Sequence, residues 1–252
     1  MEKLQRRLIA LIIALLAVPA ATAFAETNDF GMKYSAEISK KINKKWSADA
    51  EIGFRTRNNS KTADRFEVSA GAEYKIAKWL KADAGYQFLY DNNEEKFKYN
   101  TTGEATKWRP SYWGSRHRTY VSLSASCKVQ NFKFSLRERW QYTYRPETTT
   151  ERYVYATDSW EDDLVHSKSQ NVLRSRLQVS YDIPNCKITP FANAEIFNSW
   201  SLDKTRFIAG AEWSVTKMHS VELYYRFQNV NSSDDDNDHN SHILGIGYKF
   251  SF

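Results

Sequence analysis

The chain has 252 residues, of which 41% are hydrophobic, 26% charged and 15% aromatic, and its formal net charge is +6. Its mean hydropathy is negative, and only one segment near the N-terminus approaches the apolar length of a membrane-spanning helix, which excludes a polytopic helical membrane protein. So many aromatic residues in so polar a chain indicate many strands that are apolar on one face only.

A secretion signal is predicted at the N-terminus. Three basic residues precede an apolar run over residues 8–18, and Ala23-Phe24-Ala25 supplies a small-residue cleavage site. The sequence therefore predicts a cleaved signal peptide at 1–25 and one mature domain at 26–252. Cleavage removes three basic residues and one acidic residue, and the remaining net charge of +4 is too small to indicate nucleic acid as a partner.

Apolar and polar residues alternate with period two through most of the mature chain, which places one set on each face of a strand. We count eleven such runs, and the clearest cover 46–54, 66–76, 80–90, 132–144 and 221–227. The second face of each strand is polar and often charged.

Short turns and longer polar connections also alternate along the chain. The predicted turns lie near 43, 77–78, 130–131, 184–185 and 216–217, and the predicted longer connections lie at 58–64, 91–111, 145–169, 199–204 and 231–240. This alternation predicts an all-β fold, a transmembrane antiparallel up-and-down β-barrel with short periplasmic turns and longer extracellular loops. A secreted soluble β-protein shows the same periodicity and remains the alternative.

Aromatic residues at the strand ends favour the membrane. They form two predicted interfacial girdles: Trp46, Trp79, Tyr90, Trp113, Tyr142, Tyr144, Trp200 and Trp213. The last strand ends in Tyr248, Phe250 and Phe252, which resembles the C-terminal signal that the barrel-assembly machinery recognises in outer-membrane barrels. The predicted location is the outer membrane, with lipid and that machinery as partners.

The number of strands is ambiguous. Eleven runs would leave the first strand, residues 30–38, entering from the loop side, whereas bacterial single-chain barrels have an even number of strands. We favour twelve strands, with ten as the alternative.

Several short segments resemble an outer-membrane barrel family described as domain of unknown function 2490. They are 42–47 (INKKWS), 117–120 (HRTY), 136–142 (LRERWQY), 173–177 (LRSRL), 189–191 (TPF), 195–197 (EIF) and 206–210 (RFIAG). The resemblance implies an outer-membrane barrel and carries no established activity or catalytic residues.

A basic ladder is predicted on the inner wall. Its six members lie at i, i+2 spacing on three consecutive runs: Arg116, Arg118, Arg137, Arg139, Arg174 and Arg176. Glu195, Glu212 and Glu222 are their predicted acidic partners in the lumen, with Glu195 opposite Arg174 or Arg176. Two interpretations remain open: a closed, structural barrel in which these charges satisfy each other, or a small porin or binding barrel for acidic solutes, since arginine binds carboxylate and phosphate groups bidentately.

Glu138 does not fit the pattern, because it falls in phase with the lipid-facing residues, and we expect a β-bulge to turn it inward.

An outer-membrane lipid-modifying enzyme is a further alternative, with Asn229, Asn240 and His242 on the outward face. Ser241 points the other way, so no catalytic residues are assigned, and neither a cofactor nor a metal site is predicted.

The stretch 234–238 is rich in aspartate but lacks the glycine and closing glutamate of a calcium loop. Cys127 and Cys186 are predicted to lie about 14 Å apart, about three strands at 4.8 Å each, and to remain free thiols.

Overall fold

The computed structural model describes residues 29–231 and 239–252 as an all-β protein. In chain order the strands are β1 (Asp29–Lys41), β2 (Trp46–Arg57), β3 (Thr62–Lys75), β4 (Leu80–Asn93), β5 (Lys96–Tyr99), β6 (Ala105–Arg109), β7 (Tyr112–Val129), β8 (Phe132–Arg145), β9 (Thr148–Val154), β10 (Ser159–Val165), β11 (Lys168–Tyr181), β12 (Ile188–Asn198), β13 (Leu202–Ser214), β14 (His219–Val230) and β15 (Ser241–Ser251). Within these two described ranges, no helix has the length and apolar character needed to cross a membrane. The predicted signal peptide and the aspartate-rich stretch 234–238 lie outside them.

Eleven strands close into one barrel, one fewer than the twelve that we favoured. Around the ring the order is β1, β15, β14, β13, β12, β11, β8, β7, β4, β3 and β2. All neighbours pair antiparallel except β1 and β15, which pair in parallel from Asp29 opposite Ser241 to Ser39 opposite Ser251. This parallel pair lets a ring with an odd number of strands close, so the run near residue 30 is a full strand.

The two rims of the barrel differ in their connections. The predicted turns form one rim, at 42–45, 76–79, 130–131, 182–187 and 215–218. The connections on the opposite rim, called the loop rim below, are less uniform than expected. Those at 58–61 and 199–201 are short because the strands continue into them, and those at 94–111 and 146–167 contain the extra strands. Both β1 and β15 begin at the loop rim.

The extra strands form a second sheet, called the rim sheet below, in the order β10, β9, β6 and β5. It continues two barrel hairpins without a change of register. Asn93 pairs with Tyr112 at the end of the β4–β7 hairpin, and Lys96 then pairs with Arg109. In the same way the β8–β11 ladder ends at Arg145, and β9 resumes it at Thr148. Short breaks at 94–95, 110–111, 146–147 and 166–167 separate the rim sheet from the barrel wall.

The outer wall of the barrel is apolar and uncovered within the described chain. Ile52, Leu123 and Leu177 are 59%, 54% and 60% exposed, although they lie in the middle of their strands. Aromatic pairs flank this band, including Tyr90 stacked on Trp113 near the loop rim and Trp46 against Tyr74 near the turn rim. An apolar band between two aromatic girdles is the surface of a barrel that spans a bilayer. Trp200 is an exception to the predicted girdles, because it is fully exposed in a loop-rim connection.

Two inward-facing tyrosines lie flat against glycines of the wall. A Cβ at Gly85 would come within 2.4 Å of the Tyr120 hydroxyl, and one at Gly245 within 2.1 Å of the Tyr224 ring. Arg139 in turn stacks on the Tyr120 ring, with 3.9 Å from Cζ to the ring centroid. Glycine is therefore required where an aromatic ring supports part of the inner wall.

We expect Gly85→Ala to lower the free energy of unfolding by about 1–3 kcal/mol, because the added Cβ displaces Tyr120 from a close-packed wall. Urea unfolding in detergent micelles, followed by tryptophan fluorescence, measures this change. Gly247→Ala is the matched control, since its Cβ would approach no atom closer than 3.3 Å. Equal unfolding midpoints for the two variants would contradict the packing role of Gly85.

The predicted β-bulge at Glu138 is wrong. Glu138 pairs in regular register with Ser175 of β11 and Leu123 of β7, both of which face outward. Its carboxylate stays on the apolar outer wall and accepts a 2.6 Å hydrogen bond from the Ser175 hydroxyl. A local hydrogen bond therefore replaces the backbone distortion that the sequence led us to expect.

We expect Glu138→Leu to raise the free energy of unfolding in lipid vesicles by about 1 kcal/mol, because a carboxylate facing lipid is unfavourable although less so than a basic group. Reversible urea titration measures the change, with Glu151→Leu in the rim sheet as the control outside the apolar band. Destabilisation by Glu138→Leu would show that the wall depends on this carboxylate.

Candidate functional site

The interior of the barrel encloses a cavity of about 640 Å³. Its lining is strongly polar and includes twelve basic and nine acidic side chains. The basic members are Lys33, Arg55, Arg65, Arg118, Arg137, Arg139, Arg174, Arg176, Lys204, Arg206, Arg226 and Lys249, and the acidic members are Glu37, Asp49, Glu51, Glu67, Glu73, Asp83, Glu195, Glu212 and Glu222. Strand alternation sends these residues inward while their apolar neighbours in sequence face outward.

Four of the six predicted ladder arginines form one compact cluster, which we call the arginine cluster. Arg139 lies directly opposite Arg174, and Arg137 directly opposite Arg176, on the adjacent strands β8 and β11. Like charges placed opposite each other on neighbouring strands repel. The cluster therefore needs negative charge from elsewhere in the lumen.

Among residues 29–231 and 239–252, two carboxylates contact the arginine cluster. Glu195 on β12 binds Arg174 at 2.5 Å and approaches Arg137 at 3.7 Å. Asp83 on β4 binds Arg139 at 3.1 Å. Arg176 makes no hydrogen bond or ion pair within the described parts of the chain. Four guanidinium groups thus share two contacting carboxylates in the described part of the chain.

The remaining two predicted arginines have different surroundings. Arg118 lines the cavity and donates to the Thr143 hydroxyl at 2.9 Å and to the Gln87 side-chain oxygen at 3.1 Å, both neutral partners. Arg116 does not line the cavity. It is buried nearer the loop rim and pairs with Asp91 at 2.9 Å. Arg116 therefore belongs to the structure of the wall.

The three predicted acidic partners also differ from one another. Glu195 lies opposite Arg176 in register and binds Arg174, as its predicted pairing required. Glu212 and Glu222 line the cavity but lie opposite each other on β13 and β14, and neither forms an ion pair within ranges 29–231 and 239–252. Glu222 is nevertheless within electrostatic range of Arg176.

Charge is unevenly distributed around the inner wall. In the ring of eleven strands, β1 lies five steps from both β8 and β11, so it is opposite the arginine cluster. Near β1 basic and acidic side chains are nearly balanced. Glu37 lies opposite Glu51, but Lys249 binds Glu37 at 2.6 Å. Lys33 approaches Glu51 at 3.6 Å. The excess of positive charge in the lumen therefore lies on the side of the arginine cluster.

Sequence reasoning missed residues that support the cluster. Phe197 lies under both Arg174 and Arg206, with 5.0 Å and 4.5 Å from Cζ to the ring centroid. Asp83 was missed because it reaches Arg139 across β7. That contact depends on the register of β4 with β7 and on the register of β7 with β8. The inward position of Asp83 in the alternation of β4 was the available signal.

The residues of the enzyme alternative do not assemble into a catalytic arrangement. His242 faces outward and packs between Tyr225 and Phe227, and its Nδ1 is hydrogen-bonded to the Tyr225 hydroxyl. Ser241 is buried on the opposite side of the strand. Asn240 instead accepts from the backbone N–H of Val230.

The two thiols, Cys127 and Cys186, are free and exposed, as predicted from their separation along the wall.

Comparison with known families shows which protein family the chain belongs to. The model of the family described as protein of unknown function DUF2490 matches residues 30–240, which cover almost the whole barrel. The chain belongs to this family. The short segments that resembled it lie on or beside six barrel strands, β2, β7, β8, β11, β12 and β13. They include all four arginines of the arginine cluster. No curated protein matches this DUF2490 chain.

One solved structure with a TM-score of 0.50 shows a similar fold, and two others align with lower scores. The β-domain of the Bordetella autotransporter BrkA aligns with a TM-score of 0.50 at 12% identity, covering 81% of this chain and 79% of that one. The NanC porin aligns with a TM-score of 0.46 at 15% identity over 89% and 99% of the two chains. The translocator domain of the autotransporter NalP from Neisseria meningitidis aligns with a TM-score of 0.47 at 13% identity over 76% and 71%.

Proposed function

We propose that this DUF2490 protein is an outer-membrane barrel whose lumen binds small acidic solutes and carries them across the membrane. The observation that carries the proposal is the arginine cluster, in which four guanidinium groups share two carboxylates. A planar, permanently charged guanidinium binds carboxylate and phosphate oxygens bidentately. An acidic solute would supply the negative charge that the wall does not.

The separation of charge within the lumen supports a binding role over a purely structural one. Side chains that only fill a barrel are most stable when unlike charges alternate, yet here Arg137 faces Arg176 and Glu212 faces Glu222 across neighbouring strands. The buried Nε atoms of Arg137 and Arg176 make no hydrogen bond in the described part of the chain. An anion bound beside the like-charged arginines would relieve their repulsion.

The size of the lumen supports the binding of small solutes rather than large ones. A cavity of about 640 Å³ falls within the range of about 300–1,000 Å³ that is usual for small-molecule sites. Barrels of eight strands are filled by side chains, whereas those of sixteen or more hold wide aqueous channels. Eleven strands lie between these limits and suit a solute of about the size of one or two sugar rings.

The outer wall supports the location in the outer membrane. The apolar band, the aromatic girdles and the outward-facing Tyr248 and Phe250 suit contact with lipid, and the C-terminal strand suits recognition by the barrel-assembly machinery. The predicted signal peptide would provide export.

Planar-bilayer recording tests the proposed transport. In a tenfold KCl gradient the purified barrel should give discrete conductance steps and a reversal potential of the sign that indicates chloride preference. A carboxylate solute such as glucuronate should reduce the chloride current by competing for the arginine cluster, and glucose should not. Absence of conductance, or preference for potassium, would contradict the proposed transport.

A further inference from the structure

The rim sheet has one aromatic face. Every aromatic residue of its four strands, together with the residue that follows β9, falls on the same side by register: Phe97, Tyr99, Trp108, Tyr153, Tyr155 and Trp160. Their rings form a continuous row, with 6.2 Å between the centroids of Phe97 and Trp108 and 5.7 Å between those of Trp108 and Trp160. Across four strands at about 4.8 Å spacing, the row is roughly 14 Å long.

Four of these six rings are exposed, and those of Trp108 and Tyr153 are half-buried. Tyr99 is 61% and Trp160 52% exposed, and Phe97 and Tyr155 are also exposed. Contiguous exposed apolar surface of this kind marks an interaction site in a folded protein.

Contact with the bilayer does not explain the exposure. Phe97 follows girdle residue Tyr90 by seven residues, which at about 3.3 Å per residue places it roughly 23 Å further along the chain. The register of the β4–β7 hairpin continues unbroken into β5 and β6. Phe97 and Trp108 therefore share the alternation of Asp91 and Gly114, which face the lumen within the barrel wall. The row therefore lies beyond the girdle and outside the lipid-facing set.

The charges of the rim sheet are sorted between its two faces. On the aromatic face, Glu151 and Asp162 are opposite each other and exposed, and two more carboxylates touch the rings: Glu95 accepts from the Trp108 indole N–H at 2.9 Å, and Asp158 accepts from the Tyr153 hydroxyl. That second bond raises the pKa of Tyr153 above its ordinary value.

The opposite face carries the basic side chains of the sheet. Arg152 pairs there with Glu161 and Asp163, both at 3.1 Å, and Arg109 pairs with Asp163 at 3.4 Å. The aromatic face is thus acidic as well as apolar, and it repels anionic lipid headgroups and acidic polymers.

We propose that the aromatic face of the rim sheet is a binding site for neutral oligosaccharides, separate from the lumen. Aromatic faces carry partial negative charge and attract the C–H groups on the flat side of a sugar ring. Carboxylates at the edge of the row accept charge-assisted hydrogen bonds from sugar hydroxyls. A row of tilted and stacked rings about 14 Å long suits a chain of linked sugars better than a compact cation, which needs rings arranged as a cage.

An oligosaccharide array tests this proposal with the full chain in a detergent that has no sugar headgroup. The array should carry neutral oligosaccharides beside acidic ones of equal length, and calorimetry should then measure the affinity for the neutral oligosaccharide that gives the strongest signal. Trp160→Ala and Tyr99→Ala should each weaken that affinity about fivefold or more. Trp200→Ala is the matched control, because Trp200 is a fully exposed tryptophan outside the rim sheet and its loss should change nothing.

The outcomes separate this site from the lumen site. Heat-modifiable gel mobility confirms that each variant has folded, and Trp160→Ala should keep the wild-type reversal potential in bilayers. Failure to bind any neutral oligosaccharide would overturn the proposal, as would equal affinity in the Trp160→Ala and Trp200→Ala variants. Concentration-dependent dimerisation lost in Trp160→Ala, without sugar binding, would assign the face to a second copy of the chain instead.

Discussion

The double variant Arg137→Gln/Arg176→Gln is expected to lose most of the anion preference of the barrel. These two arginines have the weakest compensation in the arginine cluster, a 3.7 Å approach to Glu195 for Arg137 and no ion pair within the described chain for Arg176. A charge about 4 Å from a passing ion contributes about 1 kcal/mol in water and more near a protein surface. Removing the charge of each arginine should lower the ratio of anion to cation permeability about fivefold. The change is measured as a shift in reversal potential.

The complementary double variant Asp49→Asn/Glu222→Gln provides the control. Both carboxylates line the same cavity and form no ion pair in the described ranges, so their loss should raise the anion preference. Opposite shifts for the two variants would show that the lumen charges set the selectivity. Shifts of the same sign, or no shift in either, would contradict that conclusion.

Glu195→Gln is expected to destabilise the barrel by about 3 kcal/mol. The Glu195 side chain is fully buried and is the carboxylate nearest to Arg174 and Arg137, so its neutralisation leaves buried guanidinium groups without a counter-charge. Urea unfolding in micelles gives the free energy. Phosphate at tens of millimolar should restore part of the loss by binding the guanidinium groups that have lost their counter-charge.

Two further variants distinguish this effect from a general change in the lumen. Glu212→Gln should be neutral or slightly stabilising, because Glu212 lies opposite Glu222 and has no basic partner in the described structure. Glu195→Gln/Arg174→Gln should recover stability relative to Glu195→Gln alone, since it removes a charge together with its partner. A loss in the Glu212→Gln variant as large as in Glu195→Gln would contradict the pairing described here.

Local sequence signals were sufficient for most of the fold. Period-two alternation identifies each barrel strand and the face that each residue occupies, because the side chains of a strand alternate by geometry. It does not predict how the ring closes. The parallel pairing of β1 with β15 joins the two ends of the barrel, and nothing in the residues near Asp29 or Ser241 specifies that partner.

The candidate site could be predicted only in part, for a related reason. The position of Glu195 opposite Arg174 or Arg176 follows from one short turn, and it was predicted with both arginines as possible partners. Contacts that cross two ladders, such as Arg139 with Asp83, depend on several registers at once. The rim sheet was missed because its strands are only four to seven residues long and lie within segments that composition marks as loops. Glu138 was misassigned because a hydrogen bond from Ser175, on the next strand around the barrel, satisfies it in place.

Calorimetric titration of the purified barrel with glucuronate and with glucose measures whether the lumen recognises a negative charge on its solute. The two sugars differ only in a carboxylate against a hydroxymethyl group, so any difference in affinity reports recognition of the negative charge. We expect glucuronate to bind, to bind more weakly as ionic strength rises, and to lose its affinity in Arg137→Gln/Arg176→Gln, while glucose does not bind. Equal binding of both sugars, or binding of glucuronate that the double variant leaves unchanged, would contradict a lumen built to recognise acidic solutes.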